Sequence, residues 1–457
     1  MTAEATSTLP VHLPATPGYR EATTVFDTLA PVQPDEAVIA DSASSVAAAI
    51  TRARSRGLHV EVLSTGHASA MADPMHGALL VRTVPSGPVE VDPRTRRARI
   101  PAGTRWGAVA EAAARYGLGA MHGSSADVGV VGYLLKGGLS FYGRRLGLAV
   151  NSLRAVELVT ADGQLRRIDA DHDPSLFWAI RGGGGGFGVV TSVEIELFDA
   201  AGVWTGADWW PVSDAGRLLS AWTGWARTAS RDITTSFRIL RLPPLPGIPE
   251  PLTHDPVVCL DGVALATTPA DVPAVSAKVD DLLSRMRGVA TPMLSTWRAA
   301  TTLDVPLTHM DPPDPVPSVS DHIVLGDLDE NGRRAFLSSA GAGSQSPLLS
   351  SELRQMGGAL ADRAGNGGAF SRTEGAYCYY GLGVPAGDGT ADAMRGYLAQ
   401  ARTALAPWDT GRVLPTFVED RANPGRWMDE ERTAFVDLVR RGVDPDGLFR
   451  RGIWPAR

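Results

Sequence analysis

Residues Ala120 to Gly147 read AMHGSSADVGVVGYLLKGGLSFYGRRLG, and the rest of the chain is understood from this stretch. Glycines at 123, 129, 132, 137, 138 and 143 alternate with short apolar groups such as Val128, Val130, Val131, Leu134 and Leu135. That spacing leaves little room for regular helix or strand. So long a glycine-rich segment inside a compact chain is either disordered or a binding loop. Few charges and regularly spaced apolar residues argue against disorder. The stretch is therefore expected to wrap a large, planar, partly anionic cofactor.

The sequence on its N-terminal side supports a second contact with the same group. Val46, Ala49, Ile50 and Ala53 form one apolar face of a helix over Ser42 to Arg56, with Ser42 or Asp41 as cap and Gly57 as stop. The strand HVEVLSTG follows, with Val60 and Val62 on one face. It runs into Ser64-Thr65-Gly66-His67-Ala68-Ser69, a small hydroxylated turn suited to holding a pyrophosphate through backbone N–H groups. An ordinary turn fits these residues equally well. Next come a hairpin turning at Asp92-Pro93-Arg94 and a helix from Arg105 to Tyr116.

On the C-terminal side, SLRAVELVTADGQLRRIDA predicts a hairpin at Ala161-Asp162-Gly163. A helix, DPSLFWAIRG, leads to GGGGFG and the strand VVTSVEIELF. Gly183, Gly185 and Gly188 match the spacing of a dinucleotide fingerprint, but that fingerprint needs a strand before it and a helix after it. Here the order is reversed, which excludes a Rossmann unit. The glycines instead suggest another close approach of backbone to cofactor.

Composition limits the remaining possibilities. At 457 residues, 44% apolar and 20% charged, the chain has the make-up of a globular protein of two domains. A net charge of −7 without a basic stripe argues against nucleic acid. No apolar run is long enough to cross a bilayer. The opening MTAEATSTLPVHLPATPGYR lacks the basic start and apolar core of a secretory signal. Cys259 and Cys378 lie far apart, without CxxC spacing, and a reducing, cytoplasmic location is expected. The nine histidines are scattered and HExxH is missing, so no metal site is expected. P-loop and GxSxG signatures are missing too.

STGHAS, then GSSADVGVVGYLLKGGLSFYGRRLGLA, then LFWAIRGGGGGFGVVTSVEIEL form an ordered set that resembles the berberine-bridge-enzyme-like FAD-linked oxidases, within the vanillyl-alcohol-oxidase superfamily. SELRQMGGAL, AFSRTEGAY and the ending DPDGLFR extend the resemblance. The fold it implies is α+β. A two-part FAD-binding domain of PCMH type is expected over 1–200, and an antiparallel-sheet substrate domain covered by helices over 201–415. A segment over 416–457 returns to the first domain.

The resemblance also implies roles. His67 matches the histidine that joins the flavin 8α-methyl, so FAD is expected to be covalently held there. Many relatives carry a second, cysteinyl link, whose position is Ser125 here. Serine is a far weaker nucleophile than a thiolate, so no cysteinyl link is expected. Further cofactor contacts are expected from Ser64, Thr65, Gly66, Ala68, Ser69, Ser124, Val128, Gly129, Gly132, Tyr133, Gly138, Gly188, Val189 and Val190. Val128 stands where valine accompanies reaction with oxygen. Lys136 stands where the family has glycine, and both a place near the cofactor and a solvent-facing one remain open.

In the family a base deprotonates the substrate as hydride passes to flavin N5. The family's Tyr-x-Asn-Phe strand is altered here to Leu414-Pro415-Thr416-Phe417, which removes the usual base. Candidates are Tyr377 and Tyr379, which share a strand face with Tyr380 opposite; Glu419 or Asp420, if buried; and Tyr142. A solvated acidic turn is the simpler state of Glu419. The activity expected is oxidation of an alcohol, amine or ring-closing position of a small natural-product-like substrate, with O2 reduced to H2O2. A dehydrogenase using another acceptor, or a flavin-binding scaffold without redox turnover, remain alternatives.

Overall fold

The computed structural model describes residues 9–72, 75–365, 367–419, 423 and 426–450. Asp420 and the residues after Arg450 lie outside this range.

The N-terminal half is built from two sheets. Strands Glu36–Ala40, Ala78–Thr83 and His59–Leu63 form a parallel sheet with Ala78–Thr83 in the centre. The helix Ala43–Arg56 covers it, burying Val46, Ala49, Ile50 and Ala53 as its apolar spacing requires. Ser42 caps this helix through a reciprocal bond with Ser45, and Gly57 ends it at φ 66°. The second sheet is antiparallel, in the order Glu90–Asp92, Arg97–Pro101, Val189–Glu196, Leu153–Val159 and Leu165–Asp169. Both hairpins read from the sequence, at Asp92-Pro93-Arg94 and at Asp162, are among its connections.

The central stretch is more regular than its glycines suggest. Val130–Leu135 forms a short helix that buries Val130, Tyr133 and Leu134, and Gly143–Leu146 forms another turn of helix. Gly132 can sit inside the first because a Cβ there would meet nothing within 4 Å. Tertiary burial of the apolar residues outweighs the weak helical preference of glycine.

The second half is one large antiparallel sheet. Its central strands run in the order Gly202–Pro211, Val257–Ala266, Ile233–Leu240, Ser350–Gln355, Tyr377–Gly383 and Val319–Leu325. Helices Ala215–Ala226, Val272–Val289, Glu330–Ala340 and Thr390–Leu405 cover one face. A core of Trp222, Phe237, Leu353, Phe336, Tyr377 and Tyr379 fills the space between sheet and helices. Side-chain alternation sends the neighbouring residues of the same strands to the other face, which looks toward the N-terminal half. Cys378 and Val324 from that face join the core of the N-terminal half, beside Phe141 and Val413.

The chain end returns to the first domain. The helix Glu430–Val443 leads to a tail in which Val60 N–H donates to Leu448 O (2.8 Å) and Arg450 N–H to Val60 O (3.3 Å). Asp444 fixes that tail by accepting from the backbone N–H groups of Leu448 and Phe449 (2.9 and 2.8 Å).

Candidate functional site

A deep cleft opens where the parallel sheet, the central stretch and the glycine run at 184–188 converge, with Phe449 of the returning tail in its wall. Val60 is buried, but Val62 is 39% exposed because it faces this cleft rather than a core, so the predicted apolar face of the strand divides at its end. Beyond the strand, Gly66 takes φ 76° and turns the chain so that His67 enters the cleft. The Arg82 guanidinium holds the turn from behind, donating to the carbonyls of Ala22, Ser64 and Thr24.

His67 is held on two sides. Its ring stacks on Phe26, with centroids 3.8 Å apart and planes 13° apart. Nδ1 lies 2.8 Å from Thr65 Oγ1, while Nε2 is buried and has no partner. Burial lowers its pKa to about 4, so the imidazole is neutral near pH 7. If Nδ1 carries the proton and donates to Thr65, Nε2 presents a free lone pair.

The structure gathers eleven of the residues expected at the cofactor into this wall: Ser64 to Ala68, Val128, Gly129, Gly132, Tyr133, Gly188 and Val190. Five stand behind it. Ser69 and Val189 are buried beneath the lining, and Gly138 packs on the Tyr133 ring. Ser124 donates to Asp311 Oδ2 (2.6 Å), and the Ser125 hydroxyl accepts from Asp127 N–H (3.2 Å). The glycine run also contributes Gly184, Gly185 and Gly186, which the offset of the rejected fingerprint concealed. Gly184 (79°) and Gly186 (91°) take positive φ and Gly185 does not, and the Gly184 N–H donates to Leu135 O (3.3 Å).

Residues 34–169 match the FAD binding domain family. The chain thus carries an FAD binding domain over these residues. Among curated relatives, the FAD-dependent monooxygenase FUP4 of Fusarium proliferatum is 35% identical over 198 residues, covering 43% of this chain and 38% of that protein. The (R)-6-hydroxynicotine oxidase of Paenarthrobacter nicotinovorans is 36% identical over 158 residues, 35% of this chain and 34% of that one. These alignments thus span well under half of either relative's length. The fold resemblance runs the whole way. The 6-hydroxy-D-nicotine oxidase structure from Arthrobacter nicotinovorans superposes with a TM-score of 0.83 at 22% identity, covering 98% of both chains. The Physcomitrella patens BBE-like 1 protein gives 0.81 at 18% identity, covering 98% of this chain and 97% of that one. The α+β, PCMH-type architecture expected from the resemblance is the one observed.

The residues present fit FAD. The orphaned Nε2 of His67 needs a partner, glycines 184 to 188 bring bare backbone to the cleft wall, and a Cβ at Gly129 would meet Ser64 Oγ at 3.0 Å. Lys136, left open by the sequence, lines the cleft, and burial lowers its pKa to about 8. Glu419 lies on the same side and acts electrostatically on Lys136. Glu419 is not the solvated carboxylate of a simple acidic turn. Its Oε2 accepts from Ser320 Oγ (2.5 Å), and burial raises its pKa to about 7. Tyr380 shares the Ser320 hydroxyl and stacks obliquely on Phe417, with centroids 5.0 Å apart.

The other candidate bases fall elsewhere. Tyr377 and Tyr379 point into the helix-covered core, against Trp222 and Phe336 respectively, so strand parity turns them away from the N-terminal half. That same parity puts Tyr380 on the opposite face, against Phe417. Tyr142 is buried beneath the cleft between His122 and Phe198 and does not line it. Among the described residues no cluster could hold a metal ion.

Proposed function

We propose that this chain is an FAD-dependent oxidase that removes a hydride from an alcohol, amine or ring-closing position of a small natural-product-like molecule. Bound FAD would accept the hydride and pass the electrons to O2, giving H2O2. The observation that carries the reading is a neutral imidazole with an unpartnered Nε2 in the cleft wall, with the Glu419 carboxyl, raised to about 7, acting on Lys136 of the same wall.

His67 serves as the covalent anchor of FAD. Neutrality makes it a nucleophile, and stacking on Phe26 with the Thr65 contact orients it. Ser125 forms no second link, because its hydroxyl is engaged with the backbone of Asp127. Glu419 accepts the proton from the substrate O–H or N–H. A base whose pKa lies near the working pH combines adequate basicity with a populated ionised form. Ser320 orients this carboxyl and links it to Tyr380. Val128, in the cleft wall, would govern the access of O2 to bound FAD. No described helix is long and apolar enough to cross a membrane. Cys259 and Cys378 are both buried and unbonded, which fits a reducing, cytoplasmic setting.

The test is flavin fluorescence on a denaturing gel of wild type, His67→Ala and Ser125→Ala. A fluorescent band lost only with His67→Ala, together with peroxide formed from an alcohol or amine panel under O2, supports the reading. A wild-type band without flavin sinks the covalent anchor. Flavin that no substrate in the panel reduces sinks the oxidase.

A further inference from the structure

The sheet face that looks toward FAD carries a buried charge cluster that proton transfer at Glu419 does not use. Register places Arg238, Glu352 and Tyr380 side by side across three strands, with Ser236, Arg354 and Cys378 as the adjacent row. Arg238 Nη1 donates to Asp261 Oδ2 (3.0 Å) and to His309 O (2.8 Å). Glu352 Oε1 accepts from Ser236 Oγ (2.6 Å) and from Arg354 Nε (2.7 Å). His309 lies between the two carboxylates, with Nδ1 2.9 Å from Asp261 Oδ2 and Nε2 3.2 Å from Glu352 Oε2. Burial and Arg238 oppose a charge on this ring, yet Asp261 and Glu352 outweigh them and its pKa is raised. Arg238, His309 and Arg354 thus face Asp261 and Glu352 directly. Asp311, bonded to Ser124, acts on Arg238 at the far side of the cluster.

One edge of this cluster is unfinished. Arg354 donates from Nε and Nη2 to Glu352, and Nη1 has no hydrogen-bond partner among the described residues. Its side chain is only 6% exposed. The guanidinium lies over the rings of Phe141 (5.0 Å) and Phe417 (5.6 Å), which fix its plane. Phe417 follows Thr416 of the FAD cleft and touches Tyr380, and Arg354 acts electrostatically on Tyr133 of the cleft wall. The guanidinium therefore sits beside Phe417 and Tyr380, next to the cleft wall at Thr416.

We propose that Arg354 Nη1 receives a carboxylate of the substrate, so that the oxidase acts on small aromatic or apolar acids, with Phe417 and Tyr380 flanking the uncharged part. This rests on the oxidase reading above. A buried guanidinium with an unused Nη1 is completed by an acceptor, and a charge-assisted bond to a carboxylate is about twice as strong as one to a neutral acceptor.

The experiment uses the flavin-loaded protein with benzoate and benzamide as matched probes, followed by flavin difference spectra and thermal shift. Benzoate is expected to bind at least about tenfold more tightly, and Arg354→Lys to abolish that preference while flavin content and Tm remain near wild type. Equal binding of the two probes by wild type overturns the proposal, whether or not the variant folds. Retention of the benzoate preference by a folded Arg354→Lys protein also overturns it. So does an altered flavin spectrum in that variant without any probe preference, since Arg354 would then serve the cofactor. Protein purified without flavin sinks the oxidase reading instead, and the thermal-shift comparison still judges the anion site.

Discussion

At the scale of single residues, two side chains carry opposite instructions about pH. Burial raises the Glu419 pKa to about 7, so the folded state favours the neutral acid. The stability this contributes is fully present below the ordinary carboxyl range and is lost as pH rises through about 7. Base function runs the other way, because the proton must be off. The kcat/KM of the wild type should therefore rise with pH through about 7 while resistance to denaturant falls. Glu419→Gln should remove both dependences and lower kcat by roughly 10²-fold or more, read from a pH profile and a urea titration. His67 needs the opposite condition, neutrality, and burial provides it across the same range. Its removal should release flavin into the supernatant after denaturation. The tyrosines separate by strand face. Tyr377→Phe and Tyr379→Phe should leave kcat within about twofold, whereas Tyr380→Phe, next to Ser320 and Phe417, should change kcat or KM by roughly tenfold. Steady-state kinetics on the three variants checks this. The sequence contained that alternation but not which face meets FAD, because parity relates neighbours and leaves the choice of face to packing.

Among elements, those read most surely were ones whose local signals agree. The helix Ala43–Arg56 has its cap, its apolar face and its glycine stop in the order the sequence implies. The central stretch differed because burial of Val130, Tyr133 and Leu134 imposes a helix on residues of poor helical preference. The glycine run at 182–188 was correctly excluded as a Rossmann turn, since strand Val189–Glu196 leaves it and helix Pro174–Ile180 enters. Gly188 illustrates the constraint. It takes φ 148°, and a Cβ would come within 2.5 Å of the Val159 carbonyl in the neighbouring strand. Gly188→Ala should destabilise the protein by about 1–3 kcal/mol and loosen flavin binding, measurable by denaturant midpoint and by flavin retained on gel filtration.

For the molecule as a whole, the cleft is assembled from pieces far apart in the chain. Phe449 lines it only because Asp444 fixes the tail against Val60, so ending the chain after Val443 should expose the cleft. Such a truncation is expected to lower Tm and flavin content together, as absorbance at purification and a thermal melt would show. Normal flavin content in that variant would mean the tail is not needed to hold the cofactor.

By itself the sequence determined the fold class and the cofactor, through an ordered set of motifs that resembles a known family. Glycine spacing, hydroxylated turns and apolar periods are local properties, and they survive without knowledge of partners. What Glu419, Lys136 and Arg354 do was decided only by the tertiary structure. Their chemistry depends on desolvation and on charges brought together from strands and loops far apart in the chain. No local pattern records how much water a carboxyl group has lost, or which face of a strand looks toward the flavin.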